Sequence, residues 1–468
     1  MIFNWRKTTA ILIIPLVWVI YCRAKEPQQR TDLSTPLVVL DPGHGGRDVM
    51  PNSVYGDKYD VTSHRYLDHF REGANKKGIW ENEAMYEISS RVSEILSFTL
   101  DASKHDEFKR IISQFGKIDG NVKPIRSALS RENSYFTQYE KIKDDINAPY
   151  RLYDYPDIKT GEIRKGTISR INDMSPDLVV TVHLTNAGSP KYGGLASVVT
   201  PSFTTYNLAR EYISASKSRR RSIRRNFLNG PYKLWFLSAY GYDRFQSFLC
   251  DSWIYFTGNW SRPDGLSLKD DKFRGYRHQL VSWSYSEEPG WEKLARTNPK
   301  GTAFASHLRD FRPIGKFWER EQDQPEQWRR EGGREGSGGD NFYASQEILR
   351  FIRKGFHVTA NTSQEKLPKL MPPYLSTWAV PTYVNAVAAY LEIAHLNSSP
   401  DYERMKDERE TYAISIAAGI YSLFYSLQDT EKKGFTDFPA GQKLDLERYK
   451  NYKGKNYFLE SKSLLPGN

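Results

Sequence analysis

The sequence predicts an α/β fold: a mixed, mostly parallel sheet flanked by helices, with long insertions. Two observations predict it. Short apolar, β-branched runs recur at 37–40, 177–184, 195–200 and 384–393, each with the length and composition of a buried strand. Apolar residues at three-or-four spacing mark helices over 83–100, 344–356 and 410–424, and strands interleaved with such helices favour parallel pairing.

The chain begins with Asn4-Trp5-Arg6-Lys7, an apolar stretch over 10–21, and Cys22-Arg23-Ala24, which has the small-x-small form of a signal-peptidase site. The apolar stretch is short for a membrane span. Residues 1–24 therefore read as an export signal, with a retained N-terminal membrane anchor as the alternative, and 25–35 as a polar linker. Cleavage after Ala24 would leave Cys250 alone and no internal disulfide in the mature chain.

The first strand runs into LVVLDPGHGGRDVM (37–50), where Gly43, Gly45 and Gly46 surround His44. Glycine lets a backbone turn sharply and approach what a neighbouring side chain holds, so this loop reads as one that presents an imidazole. Glu81 opens the first helix on what reads as an exposed turn, GIWEN. His183 lies near the end of the second strand, DLVVTVHL, and Glu392 closes the apolar run AAYLE. In open α/β sheets, sites form outside the carboxyl ends of strands, where His44, His183 and Glu392 can converge.

Between these elements, 49–78, 101–166 and 203–372 lack clean periodicity and read as insertions. The third contains the basic run KSRRRSIRR (217–225), read as a solvated face, and the Gly-rich GGREGSGGD (332–340). Its Trp235, Trp253, Trp260 and Trp283 suit sugar stacking at the rim of a cleft. Residues 428–468 read as a polar C-terminal tail. A net charge of +11 favours anionic surroundings without selecting one, and 14% aromatic content supplies both core and stacking surface. No HExxH, CxxC pair, GxSxG or Walker-type GxxxxGK[ST] occurs, which removes the usual support for zincin, zinc-ribbon, serine-hydrolase and P-loop chemistry.

Taken together, DPGHGGRD (41–48), WENEAMYEISSRV (80–92), RINDMSPDLVVTVHLTNAG (170–188), AVAAYLEIAHLNSSPDYERM (386–405) and the helix AISIAAGIYSLF (413–424) resemble the zinc-dependent N-acetylmuramoyl-L-alanine amidases. These cell-wall enzymes cleave the amide joining muramic acid to the peptidoglycan stem peptide. The resemblance covers about a third of the chain. It implies a catalytic domain over 36–427, one Zn²⁺ held by His44, Glu81 and His183, Glu392 as general base, peptidoglycan as partner, no nucleic acid, and a place in the periplasm or cell envelope. Glu83 competes with Glu81 as the carboxylate ligand. Two imidazoles and one carboxylate suit Zn²⁺ independently and leave a fourth position for water. After Glu392 the chain departs from the family: Ala394, His395 and the order Asn397-Ser398 replace a glycine, an aromatic residue and a Ser-Asn pair. The alternatives are a non-catalytic peptidoglycan-binding protein that keeps the fold, or a zinc hydrolase of another amide.

Overall fold

The computed structural model describes residues 34–45, 58–60, 65–68, 73–134, 152, 155–156, 163–186, 188–199, 215–229, 339–371, 373–375, 380–384, 386–427, 439–444 and 446. The strands used below are β1 (Leu37–Pro42), β2 (Asn75–Lys76), β3 (Ile79–Trp80), β4 (Arg126–Leu129), β5 (Leu178–Thr185), β6 (Gly194–Val199), β7 (Lys369–Leu370), β8 (Tyr374–Leu375) and β9 (Val387–His395). The helices used below are α1 (Glu81–Ser97), α2 (His105–Ile112), α3 (Thr167–Met174), α4 (Lys217–Asn229), α5 (Gly339–Val358), α6 (Ser399–Asp407) and α7 (Arg409–Tyr425).

The main sheet has the order β7-β6-β9-β5-β1-β4, with β8 also pairing to β6. Every pairing is parallel except β6 with β9. This is the mixed, mostly parallel sheet expected. The central strands β1 and β5 are buried along nearly their whole length, which explains why they read as continuous apolar runs rather than as alternation. Asp177, just ahead of β5, accepts the Leu37 N–H at 2.8 Å and so fixes the start of β1 beside it.

α7 is buried along most of its length and packs against α1 and α5. Gly419 lets α5 come close: a Cβ there would stand 3.2 Å from the Ile348 Cα. Two of the expected insertions contain parts of this core. Within 101–166, Phe108, Ile111 and Ile112 of α2 are buried and β4 forms the sheet edge beside β1. Within 203–372, α5 begins at Gly339 and supplies core residues Ile348, Leu349, Phe351, Ile352 and Phe356. Short elements joined by polar turns hid α2 and β4 from periodicity, whereas α5 contains the helix expected over 344–356. The basic run forms α4, with Lys217, Arg219, Arg221 and Arg225 exposed and Ile223 buried. Residues 1–33 and 230–338, with the expected signal, the four tryptophans and all of the Gly-rich stretch but Gly339 and Asp340, lie outside the described residues. Among the described residues no helix is long and apolar enough to cross a membrane.

The polar tail also contributes to the core. Leu444 is buried and its N–H donates to the Leu423 carbonyl at 2.8 Å. Glu347, fully buried on α5, accepts the N–H groups of Ala440 at 3.1 Å and Gly441 at 2.7 Å. Ending the chain at Leu427 strips this carboxylate of both backbone donors. The expected cost is about 3 kcal/mol, the scale of a buried charged group losing its partners. Urea unfolding measures it, and the same truncation on a Glu347→Met background should cost markedly less. Equal losses in both backgrounds would mean that the carboxylate does not hold the segment.

Candidate metal centre

The site lies beyond the carboxyl ends of β1 and β5, and it is built on three pieces of chain. β1 ends in Asp41-Pro42, and Gly43 donates its N–H to the Val182 carbonyl at 2.8 Å, which carries the turn across to β5. Asp41 is buried between neighbouring strands: it accepts the Ser130 hydroxyl at 2.6 Å and the Thr181 hydroxyl at 3.1 Å. His44 follows with φ of 58°, the left-handed region that a non-glycine residue adopts only when its surroundings enforce it.

The second piece is the β2-β3 hairpin, which leads into α1. Glu81, the first residue of α1, is 1% exposed: Gly78 of the turn is exposed as expected, but Glu81 itself is buried. The hairpin folds its carboxylate inward, where Oε2 accepts the Ala74 N–H at 2.5 Å and Oε1 accepts the Leu184 N–H at 2.7 Å. The third piece is β5. His183 Nδ1 lies 2.9 Å from Glu81 Oε1, and His44 Nε2 lies 3.7 Å from Oε2.

One ligand atom from each of His44, Glu81 and His183 lies within 4.8 Å of the others, so the three can hold a metal ion. Glu83, the competing carboxylate, is outside this group. Burial alone would push the Glu81 carboxyl up; His44, His183 and the Ala74 N–H outweigh it and hold it below the ordinary carboxylate range. Burial works against a charged His183, yet Glu81 raises its pKa above the usual histidine value.

Close backbone approach is a condition of this geometry. A Cβ on Gly43 would stand 2.5 Å from His183 Nδ1, and one on Gly73, whose φ is 92°, would stand 2.6 Å from Glu81 Oε2 and 2.7 Å from His44 Cδ2. Arg131, buried just after β4, ties the pieces together. Its guanidinium donates to the carbonyls of Pro42 at 3.3 Å, Gly43 at 3.2 Å, Asn82 at 3.2 Å and Asn133 at 2.8 Å.

These contacts place a His-Glu-His group able to hold a metal ion on a mostly parallel sheet. No family model matches the sequence, and no curated protein matches it. The chain is similar to solved N-acetylmuramoyl-L-alanine amidases. One, from Clostridium difficile 630, is 11% identical, with 86% of this chain and 99% of that chain covered at a TM-score of 0.30. Ami1 from Mycobacterium smegmatis is also 11% identical, with 82% and 94% covered at a TM-score of 0.31. The apo form of Ami1 from Mycobacterium abscessus is 12% identical, with 82% and 96% covered at a TM-score of 0.27.

Glu392 is not at the end of its strand, as expected, but inside β9, followed by three further strand residues and a register irregularity before His395. It sits directly opposite His183 on the parallel neighbour β5. Its Oε2 is buried with no hydrogen-bond partner among the described residues. Removal from water, opposed by His183 and reinforced by Glu81, pushes this carboxyl up to about 8. His395 is outside the metal-binding group; its N–H donates to Asp401 and its ring lies where a Cβ on Gly194 would be.

Sequence reasoning missed Arg131 and Tyr390. Tyr390 stacks on His183, ring centroids 4.5 Å apart and planes at 10°. The period of a strand could have found it, since it shares a face with Glu392 two residues on. Nothing local could have found Arg131, whose partner carbonyls at Pro42 and Gly43 lie 89 and 88 positions away. Gly43→Ala is expected to weaken Zn²⁺ binding by about tenfold or more, since the added methyl displaces His183. Titration against a chelating dye measures it; unchanged affinity would mean that this ring does not bind the ion.

Proposed function

We propose that this protein is an exported, zinc-dependent N-acetylmuramoyl-L-alanine amidase that hydrolyses the amide between muramic acid and the L-alanine of the peptidoglycan stem peptide. The observation that carries the reading is the pairing of a His44-Glu81-His183 donor set with Glu392, directly across from His183, whose Oε2 is buried with no partner among the described residues. The two nitrogens and one carboxylate suit Zn²⁺, with a coordination position left for reaction. A bound divalent cation supplies Lewis-acid polarisation of the scissile carbonyl and acidifies a water.

The remaining work belongs to the chain. Glu392 is the general base: its buried Oε2 takes the proton of the attacking water and later delivers it to the leaving amine. Burial holds this carboxyl above the ordinary carboxylate range in the metal-free site, which suits the return of a proton to the leaving amine; the charge of a bound cation would favour the ionised form that first accepts one. Glu81, saturated by two backbone N–H donors, stays ionised and holds both imidazoles in place. A protein that only bound the wall would have no use for a desolvated, unpartnered acid at this position.

Three measurements test the reading. The purified protein should contain one Zn²⁺, lost on His44→Ala or His183→Ala, and full metal content in both variants would remove these residues from the site. Digestion of purified sacculi should release free stem peptides and leave glycan strands intact. Any other fragment pattern would point to a different amide. Glu392→Gln keeps the shape but not the basicity, so zinc should remain while turnover falls by roughly 10²–10⁴. Unchanged turnover would move the proton-transfer role elsewhere.

A further inference from the structure

We infer that Tyr390 is a positioning residue that sets the ring plane of His183, so that the imidazole meets the metal and Glu81 in one orientation. The metal-binding part of this inference rests on the reading above; the placement of the ring does not. β5 and β9 run parallel with Thr181 opposite Tyr390 and His183 opposite Glu392, so Tyr390 and His183 are diagonal neighbours two residues apart in register. Aromatic side chains can reach across that diagonal, and these two rings do so in parallel, 4.5 Å apart.

The opposite face of the imidazole is closed as well. A Cβ on Gly43 would lie 2.5 Å from Nδ1 and 2.7 Å from both Cε1 and Cγ, near-equal distances that put the Gly43 backbone over the ring. Tyr390 and Gly43 cannot occupy the same side, so the ring is sandwiched between them. Glu81 Oε1 holds one edge at 2.9 Å, while His44 approaches edge-on with centroids 4.9 Å apart and planes at 79°. Of these partners only Tyr390 contacts His183 through a flat face without bonding it. Removing that face opens one side of the sandwich and leaves the Glu81 contact, the Gly43 backbone and the edge of His44 to hold the ring.

The test compares Tyr390→Phe, which keeps the face and loses the hydroxyl, with Tyr390→Leu, which keeps bulk and loses the face. In zinc-free protein the His183 ring protons, assigned by their disappearance in His183→Ala, should resonate upfield in the wild type and in Tyr390→Phe. They should move downfield in Tyr390→Leu. Zn²⁺ affinity should be unchanged in Tyr390→Phe and fall roughly 10–100-fold in Tyr390→Leu, the range for losing a partner that orients a ligand. Unmoved proton signals in a folded Tyr390→Leu protein would overturn the inference, as would an equal loss of affinity in the Phe variant. If the wild type takes no zinc, the metal reading fails, and the proton signals still decide the role of Tyr390.

Discussion

The buried carboxylate of Glu81 is the constraint around which the site is arranged. An isolated charge with 1% exposure would cost several kcal/mol, so it persists only where other groups compensate it. Those groups come from distant parts of the chain: the Ala74 N–H from the turn before β2, the Leu184 N–H and His183 from β5, and His44 from the turn after β1. Glu81 also opens α1 where no side chain caps the helix, so the positive end of the helix dipole adds to its stabilisation. Burying one acid thus requires a hairpin, a helix and two parallel strands to meet at a point.

That meeting needs backbone to pass closer to side chains than most residues allow. Gly43 and Gly73 supply the room, and His44 takes a left-handed conformation between them. Such strain persists only if the surroundings enforce it. Arg131 does so from β4, the sheet edge that composition had hidden, by collecting carbonyls from the β1 turn and the first turn of α1. Asp41 does the same from inside β1, bonding Ser130 on one side and Thr181 on the other. The ligand loop is therefore held by both strands that flank β1.

Two carboxylates close to one imidazole have been given opposite environments. Glu81 is saturated with donors and sits below the ordinary carboxyl value; Glu392, opposite His183, has a buried oxygen without a donor and is pushed above it. Environments that drive like groups apart are how a single site obtains both a fixed anion and a proton acceptor near neutrality. The parallel register of β5 and β9 produces the difference. It sets Glu392 beside His183 while the inward fold of the β2-β3 hairpin spends the available backbone donors on Glu81.

The sequence alone determined the alternating α/β plan, the strands that lead to His44 and carry His183 and Glu392, and the helix over 410–424, because period and apolar run length are local properties. It also marked Glu81 at a helix start and the glycines around His44. It named Glu81 with Glu83 as a competitor, since both lie in the first turn of α1; that the fold buries Glu81 beside both imidazoles and leaves Glu83 outside the group is visible only in the structure. Nor did it reveal β4 and α2 inside an apparent insertion, the docking of 439–446 onto Glu347, or the roles of Arg131 and Tyr390. Each of these depends on a partner tens to hundreds of positions away. Strand order and register bring such partners together, and neither is written in any one stretch of chain.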